Sequence, residues 1–395
     1  MRRAVQTAVD EGIGVAVETG IPDAIDAVAA RADATHGFLR AAWYRAAMPE
    51  GVKTIVARRG DGRAVAAIPT APIGPPLLRA RGVPGSYWPF RSIALDPTAS
   101  DADLIALFAN PVTIATLGPA WRLGPVYGDD ATTVRIKQAV AAAGWTVLTR
   151  ELGNCFQFDA SDAGGWPRRS TRRRLGNYGT QLGQLGDVEI ALVRGGDWSG
   201  AVLDQLGRIE AASWVGTATD GSGAKFLTLQ KREGWAVALA DPVLADALSA
   251  TILSVGGEPA AFSFDLRCGE TQYSIASSFD ARFAAYRPGK LVTAWQVDHA
   301  RASGVTMIDL GAGDSGYKRE MGAVPGGRIV DLLIVRNRPA AALARLRWGG
   351  ESRIAREAYL TASKLRDAGR ARDRRRIDAL LAFAALAAAA LSLTE

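Results

Sequence analysis

The sequence predicts a mixed α/β (α+β) fold built from two halves, with mixed central sheets flanked by helices. Three observations predict it. The 395 residues exceed the usual size of one domain. Helical and strand-like periodicities alternate along the chain, which argues for layers of helix on sheet. A Gly-Trp-Pro stretch at Trp166 separates two segments with the same rough plan: helices, a hairpin, then further α/β elements. The expected units are 1–160, 161–338 and an Arg/Ala-rich helical tail over 339–395.

In the first half, "PDAIDAVAARAD" and "GFLRAAWYRAAM" have helical spacing, the latter with Phe38, Trp43 and Ala46 or Ala47 on one side. "VKTIVARRGDGRAVAAIPTAPI" reads as two strands joined at an Asp-Gly turn. "SYWPFRSIALDP" reads as a loop and strand with exposed aromatics. "DADLIALFAN" is a helix, "AWRLGPV" a strand, "ATTVRIKQAVAAAGW" a helix and "TVLTRELGNCFQFD" a strand pair.

The second half opens with a basic helix, "RRSTRRRLGNYGTQLGQLG", and the strand "DVEIALV". "AVLDQLGRIEAASWVG" is helical, and "AKFLTLQKREGWAVALA" is helical at its start. "ADALSATILSVGGEPAAFSFDLRCGETQYSIASSFD" reads as a helix and two strands, with a hairpin at "RCGE". "RPGKLVTAWQVDHARASG" is a helix entered through Pro-Gly and closed by Gly304. "VTMIDLG" is a strand, "SGYKREMG" a short helix and "GRIVDLLIVR" the last strand.

Composition excludes several classes of function. The two cysteines, Cys155 and Cys268, have no metal spacing and no disulfide framework, and read as buried apolar residues. Two histidines make no His-rich metal site, and His299 reads as a helix-face residue. The sequence therefore argues against a metalloenzyme and a simple hydrolase. The net charge of +7 is concentrated in Arg168–Arg174 and Arg366–Arg376. Such clusters attract phosphates, anionic lipid or nucleic acid, or form a solvated face. No groove-reading motif accompanies them, so DNA is not the expected partner. The N-terminus lacks a signal peptide's apolar core, and "ALLAFAALAAAAL" is too short to span a bilayer. The expected location is cytoplasmic, with peripheral membrane contact through the basic tail left open.

Chemistry concentrates in two stretches. At "SFDARFAAYRPGKLVTAWQ" a strand ends and a helix begins at Pro288-Gly289. Its first-turn N–H groups favour an anion, Gly289 permits close approach and Lys290 adds charge. A plain Pro-Gly helix start is the alternative. In "IDLGAGDSGYKREMG", Asp309 closes the next strand. A right-handed crossover brings the two strand ends together, so Asp309, Tyr317 and Lys318 are expected to face the same crevice. Tyr donates a proton to a leaving thiolate, Lys holds an anion and Asp accepts a proton. The plainer roles are a turn cap for Asp309 and surface charge for Lys318.

This order of elements resembles the core of the GNAT acyltransferases. The stretches "SWVG", "GEPAAFSFDLRCGETQYSIASSFDARFAAYRPGKLV" and "IDLGAGDSGYKREMG" resemble the CelD-like members, associated with cellulose and other exopolysaccharide production. A more distant similarity is to the Fem peptidyltransferases, which have two GNAT-like halves in tandem. The resemblance is strongest over roughly 165–335. It implies a pantetheine arm along Ser274, Ala276 and Ser277. It implies a pyrophosphate loop at Tyr286, Arg287, Pro288, Gly289, Lys290 and Leu291. Tyr317 is the implied general acid, and Lys318 the implied contact to substrate or developing charge. Arg172, Arg173, Trp214 and Gly313 are expected to serve the substrate. Tyr286 and Leu291 stand where the GNAT signature has Gln/Arg and Gly/Ala. Fem relatives use an aminoacyl-tRNA donor, so two donors remain open.

The implied function is acetyl or similar acyl transfer from acyl-CoA, without a metal, to an amine or hydroxyl. The acceptor is a sugar, a lipid-linked glycan precursor or a related small metabolite. The alternatives are Fem-type transfer to a cell-wall precursor and a non-catalytic GNAT-fold protein of an exopolysaccharide assembly.

Overall fold

The computed structural model describes residues 12–348 except 163, 164, 222, 314, 315, 343, 346 and 347. The expected tail beyond 348, with both its basic cluster and its Ala-rich stretch, lies outside the described residues, as does the N-terminus through residue 11.

The first half comprises β1 (Gly14–Thr19), α1 (Ala24–Ala29), α2 (Ala41–Arg45), β2 (Lys53–Arg58), β3 (Ala64–Pro72) and β4 (Arg81–Gly82). It continues through α3 (Asp101–Ala109), α4 (Pro111–Leu117), β5 (Ala120–Tyr127), α5 (Ala131–Ala142) and β6 (Thr146–Asp159). The second half starts with α6 (Arg169–Leu182), β7 (Val188–Arg194), α7 (Gly200–Ala212), α8 (Trp214–Ala218), α9 (Leu229–Leu239) and α10 (Pro242–Ala247). The strands β8 (Leu248–Val255), β9 (Glu258–Cys268) and β10 (Thr271–Phe279) follow. The chain then forms α11 (Pro288–Ala302), β11 (Met307–Ala312), α12 (Tyr317–Glu320) and β12 (Val324–Val335).

The strands form one twelve-stranded sheet in the order β1-β2-β3-β4-β5-β12-β6-β11-β10-β9-β8-β7. Each half runs through an antiparallel meander that ends in a parallel pair, β4 with β5 and β10 with β11. The two plans are the same, and the architecture is two like α/β halves in tandem. They exchange their last strands. β6 leaves the first half to pair with β11, while β12 returns from the second half to pair with β5. β6 and β12 then pair with each other from Val324↔Gln157 to Val335↔Thr146. A buried ion cluster ties this seam. Asp331 on β12 accepts from Arg122 of β5 at 2.9 Å and from Arg150 of β6 at 2.6 Å.

The Asp-Gly turn forms as expected. Asp61 Oδ1 accepts the Arg63 N–H, and Gly62 adopts φ 82° in the left-handed region. Three expectations differ. "TVLTRELGNCFQFD" is one fourteen-residue strand, not a pair, because the partner strands β12 and β11 run alongside its whole length. "LSATILSV" is the strand β8, not a helix. Its apolar run is buried between β7 and β9, where period no longer separates helix from strand. In "AKFLTLQKREGWAVALA" the helix begins only at Leu229, capped by Thr228, whose side chain accepts the Lys231 N–H.

Candidate active site

Two features of β10 prepare a site. Its ladder with β9 breaks between Ser274 and Ala276, leaving Ile275 out of register. Its parallel pairing with β11 covers only Thr271–Tyr273 against Met307–Asp309. Past Tyr273 the two strands diverge, and the β10 edge there makes no ladder bonds to β11.

A cavity of about 430 Å³ opens beside this divergence. The end of β10 supplies Ser277, Ser278 and Phe279, and the first turn of α11 supplies Gly289, Lys290 and Thr293. Arg287, Trp166 and Trp214 also line it, as do Tyr317, Lys318, Glu320 and Met321. α11 begins here because Arg287 takes a left-handed conformation (φ 54°) and Pro288 occupies the first helical position. A Cβ on Gly289 would stand 3.2 Å from the Phe279 ring, so a larger residue crowds the mouth of this turn. The open helix N-terminus with Arg287 and Lys290 favours a phosphate-bearing ligand.

The structure brings together Ser277, Arg287, Gly289, Lys290, Trp214, Tyr317 and Lys318. Tyr317 is 41% exposed and Trp214 61%. Lys290 forms an ion pair with Glu320, which joins α11 to α12. Lys318 is not surface charge. It is 4% exposed, donates to the carbonyls of Gly311 and Ala312 at 2.9 Å each, and lies over the Phe156 ring.

Other expected residues sit elsewhere. Asp309 does not share this crevice. It is 1% exposed, while its neighbours Ile308 and Leu310 pack with Val297 and Ala300 of α11. Strand alternation turns Asp309 to the other face of the sheet. There its Oδ2 accepts from Tyr127 Oη at 2.7 Å and from Gln157 at 3.3 Å, and Oδ1 accepts the Gly311 N–H. Burial, then the Asp309 charge, pushes the Cys155 thiol beside it up to about 12 and the Tyr127 phenol far above its usual value. Arg172 is an α6–α11 clasp, bidentate to Asp298 at 2.6 and 2.7 Å, and Arg173 is exposed on the same helix. Tyr286 and Leu291 pack into the apolar cluster around Val292, so they face the interior. Pro288 is buried, and Gly313 is exposed with φ 82°. Ser274 and Ala276 flank the ladder break.

Sequence reasoning missed Trp88. Its indole Nε1 donates to the Ser274 carbonyl at 2.9 Å, and its ring lies 3.3 Å from where a Gly311 Cβ would be. A first-half residue is thus wedged where β10 and β11 part. The aromatic run "SYWPF" was the available signal, but Trp88 and Phe90 are buried, not exposed.

Beneath the ladder break lies Asp265 of β9, opposite Ser274, with Ser263 Oγ donating to it at 2.7 Å. Burial pushes its carboxyl up to about 7 from 3.8. The folded state therefore keeps a proton that the unfolded chain releases near 3.8, and stability falls as pH rises between those values. Between pH 5 and pH 7 the expected loss is roughly 2 kcal/mol, at about 1.4 kcal/mol per pH unit. Urea midpoints of Asp265→Asn should lack this slope. An equal slope in the variant would assign it to other groups.

Residues 169–319 match the family described as "Acetyltransferase (GNAT) domain". The matched segment lies in the second half and runs from the start of α6 into α12. No curated protein matches the chain. Among solved structures, FemX is 12% identical with TM-score 0.52, covering 77% of this chain and 92% of its own. L-PGS from Bacillus licheniformis is 12% identical with TM-score 0.50, covering 83% and 96%. A conserved protein of unknown function from Bacteroides thetaiotaomicron VPI-5482 is 11% identical with TM-score 0.50, covering 81% and 99%. These likenesses concern the fold. No helix among the described residues is long and apolar enough to cross a membrane.

Proposed function

We propose that the chain transfers an acetyl or similar acyl group from acyl-CoA to an amine or hydroxyl on a small acceptor. That acceptor is a sugar, a lipid-linked glycan precursor or a related metabolite, as in the CelD-like proteins of exopolysaccharide production. The observation that carries the reading is the cavity joining three parts: the end of β10, the first turn of α11 and Tyr317. The pyrophosphate would rest on Arg287, Gly289 and Lys290, with pantetheine along Ser277 and Ser278. Residues 161–338 would be the catalytic half, and the basic tail would touch a membrane surface.

The acceptor's lone pair attacks the thioester carbonyl carbon within a ternary complex. Main-chain N–H on the unladdered edge of β10 stabilises the oxyanion. The C–S bond breaks, Tyr317 Oη gives its proton to the thiolate, and water takes the proton the acceptor loses. Lys318 positions Tyr317 by tethering the carbonyls that precede α12. Asp309 is a positioning residue on the opposite face, fixing Gly311 and Tyr127.

Calorimetry tests the donor. Acetyl-CoA should bind in the micromolar range, and Gly289→Val should weaken it more than tenfold by crowding Phe279 and the first turn. Stabilisation by aminoacyl-tRNA with no response to acetyl-CoA would replace this reading by Fem-type transfer. Binding of CoA without release of free thiol, whatever acceptor is offered, would point to a non-catalytic role.

A further inference from the structure

A second cavity, of about 240 Å³, lies between the halves. Trp43 of α2 and Tyr87 and Arg91 of the loop before α3 form one side, and Lys225, Lys231 and Trp235 form the other. No carboxylate is among its described lining residues. Lys225 is only 9% exposed. Its ammonium stands 4.0 Å over the Tyr87 ring and has no hydrogen bond or ion pair among the described residues. Glu210, the nearby carboxylate, is turned to the main chain. Its two oxygens accept the N–H groups of Lys225 and Phe226 at 2.8 and 2.6 Å. Lys231 donates to the Gly221 carbonyl and Arg91 to that of Gly85, so both cations are fixed at the rim. The buried indole N–H of Trp43 is also without a partner.

A buried ammonium beside two further cations is costly unless an anion completes the site. A cation–π contact offsets only part of that cost. Burial first, then the Lys231 charge, brings Lys225 down to about 8, with the Glu210 carboxylate acting in the opposite direction. The aromatic walls suit the flat face of a ring.

We propose that this cavity binds the phosphate or carboxylate group of a small acceptor, held by Lys225, Arg91 and the Trp43 N–H. Calling the ligand the acceptor rests on the acyltransferase reading; the anion site itself does not. The link between them is the loop. Tyr87 precedes Trp88, whose indole bonds Ser274 at the divergence of β10 and β11.

Calorimetry with glucose 1-phosphate, glucuronate and neutral glucose tests the site. One of the two anions should bind and glucose should not; which anion binds distinguishes phosphate from carboxylate. Lys225→Met should weaken that binding at least tenfold, raise Tm by removing an uncompensated buried charge, and leave acetyl-CoA binding unchanged. The affinity of whichever anion binds should fall as pH rises through about 8, where Lys225 loses its proton. The Tyr87 hydroxyl stays neutral there, since burial raises its pKa, and Glu210 stays engaged with the main chain. Trp43→Phe should weaken anion binding by a smaller factor. Binding of neither anion, or equal binding by Lys225→Met, overturns the proposal. Anion binding lost in Lys225→Met while acetyl-CoA binds to no form of the protein would sink the donor reading and support the anion site.

Discussion

Asp331→Ala is expected to destabilise the protein by roughly 3–5 kcal/mol, the usual penalty for removing one partner of a buried ion cluster. Asp331 is fully buried on β12, and among the described residues it is the carboxylate that joins Arg122 of β5 to Arg150 of β6. Removing it leaves two guanidinium groups facing each other inside the seam where the halves exchange strands. Arg150 also lies over the Trp348 ring, so the loss extends to the packing there. Chemical denaturation followed by circular dichroism measures the effect. Asp331→Asn should fall between wild type and Ala, because the amide oxygen still accepts one bond. A loss below about 1 kcal/mol would mean that water reaches the arginines as readily as in an exposed pair.

Tyr317→Phe is expected to lower kcat by about a hundredfold to ten-thousandfold, the range of a lost general acid. The KM for acyl-CoA should change little, because the ring that lines the cavity remains. The diagnostic is the leaving group. With an aryl thioester donor, whose thiolate departs without a proton, the defect should shrink towards wild type. A kcat within twofold of wild type would remove Tyr317 from the chemistry. A defect equal for both donors would make it a positioning residue instead.

Much of the cavity at the start of α11 was legible in the sequence, because local signals determine it. Pro288 has the fixed φ that suits a first helical position, and the order strand, loop, helix, strand fixes which ends meet. Gly289, Lys290 and Tyr317 line one cavity for that reason. Asp309 was misread because strand alternation around it depends on register. A carboxylate one residue from Ile308 points away from it, and only the pairing with β6 and β10 shows which face holds α11. Arg172 was misread because its partner, Asp298, lies 126 residues away on another helix.

The sequence by itself determined the alternation of helices and strands, the two halves, the Asp-Gly turn and the helix start at Pro288. Each follows from backbone preferences and periodicity within a few residues. Only the tertiary structure decided the exchange of β6 and β12 and the wedge of Trp88 against Ser274. It alone also set the Lys225 ammonium over the Tyr87 ring, between the halves. These depend on contacts between residues far apart in the chain, where burial and pairing, not local propensity, decide the lower free energy.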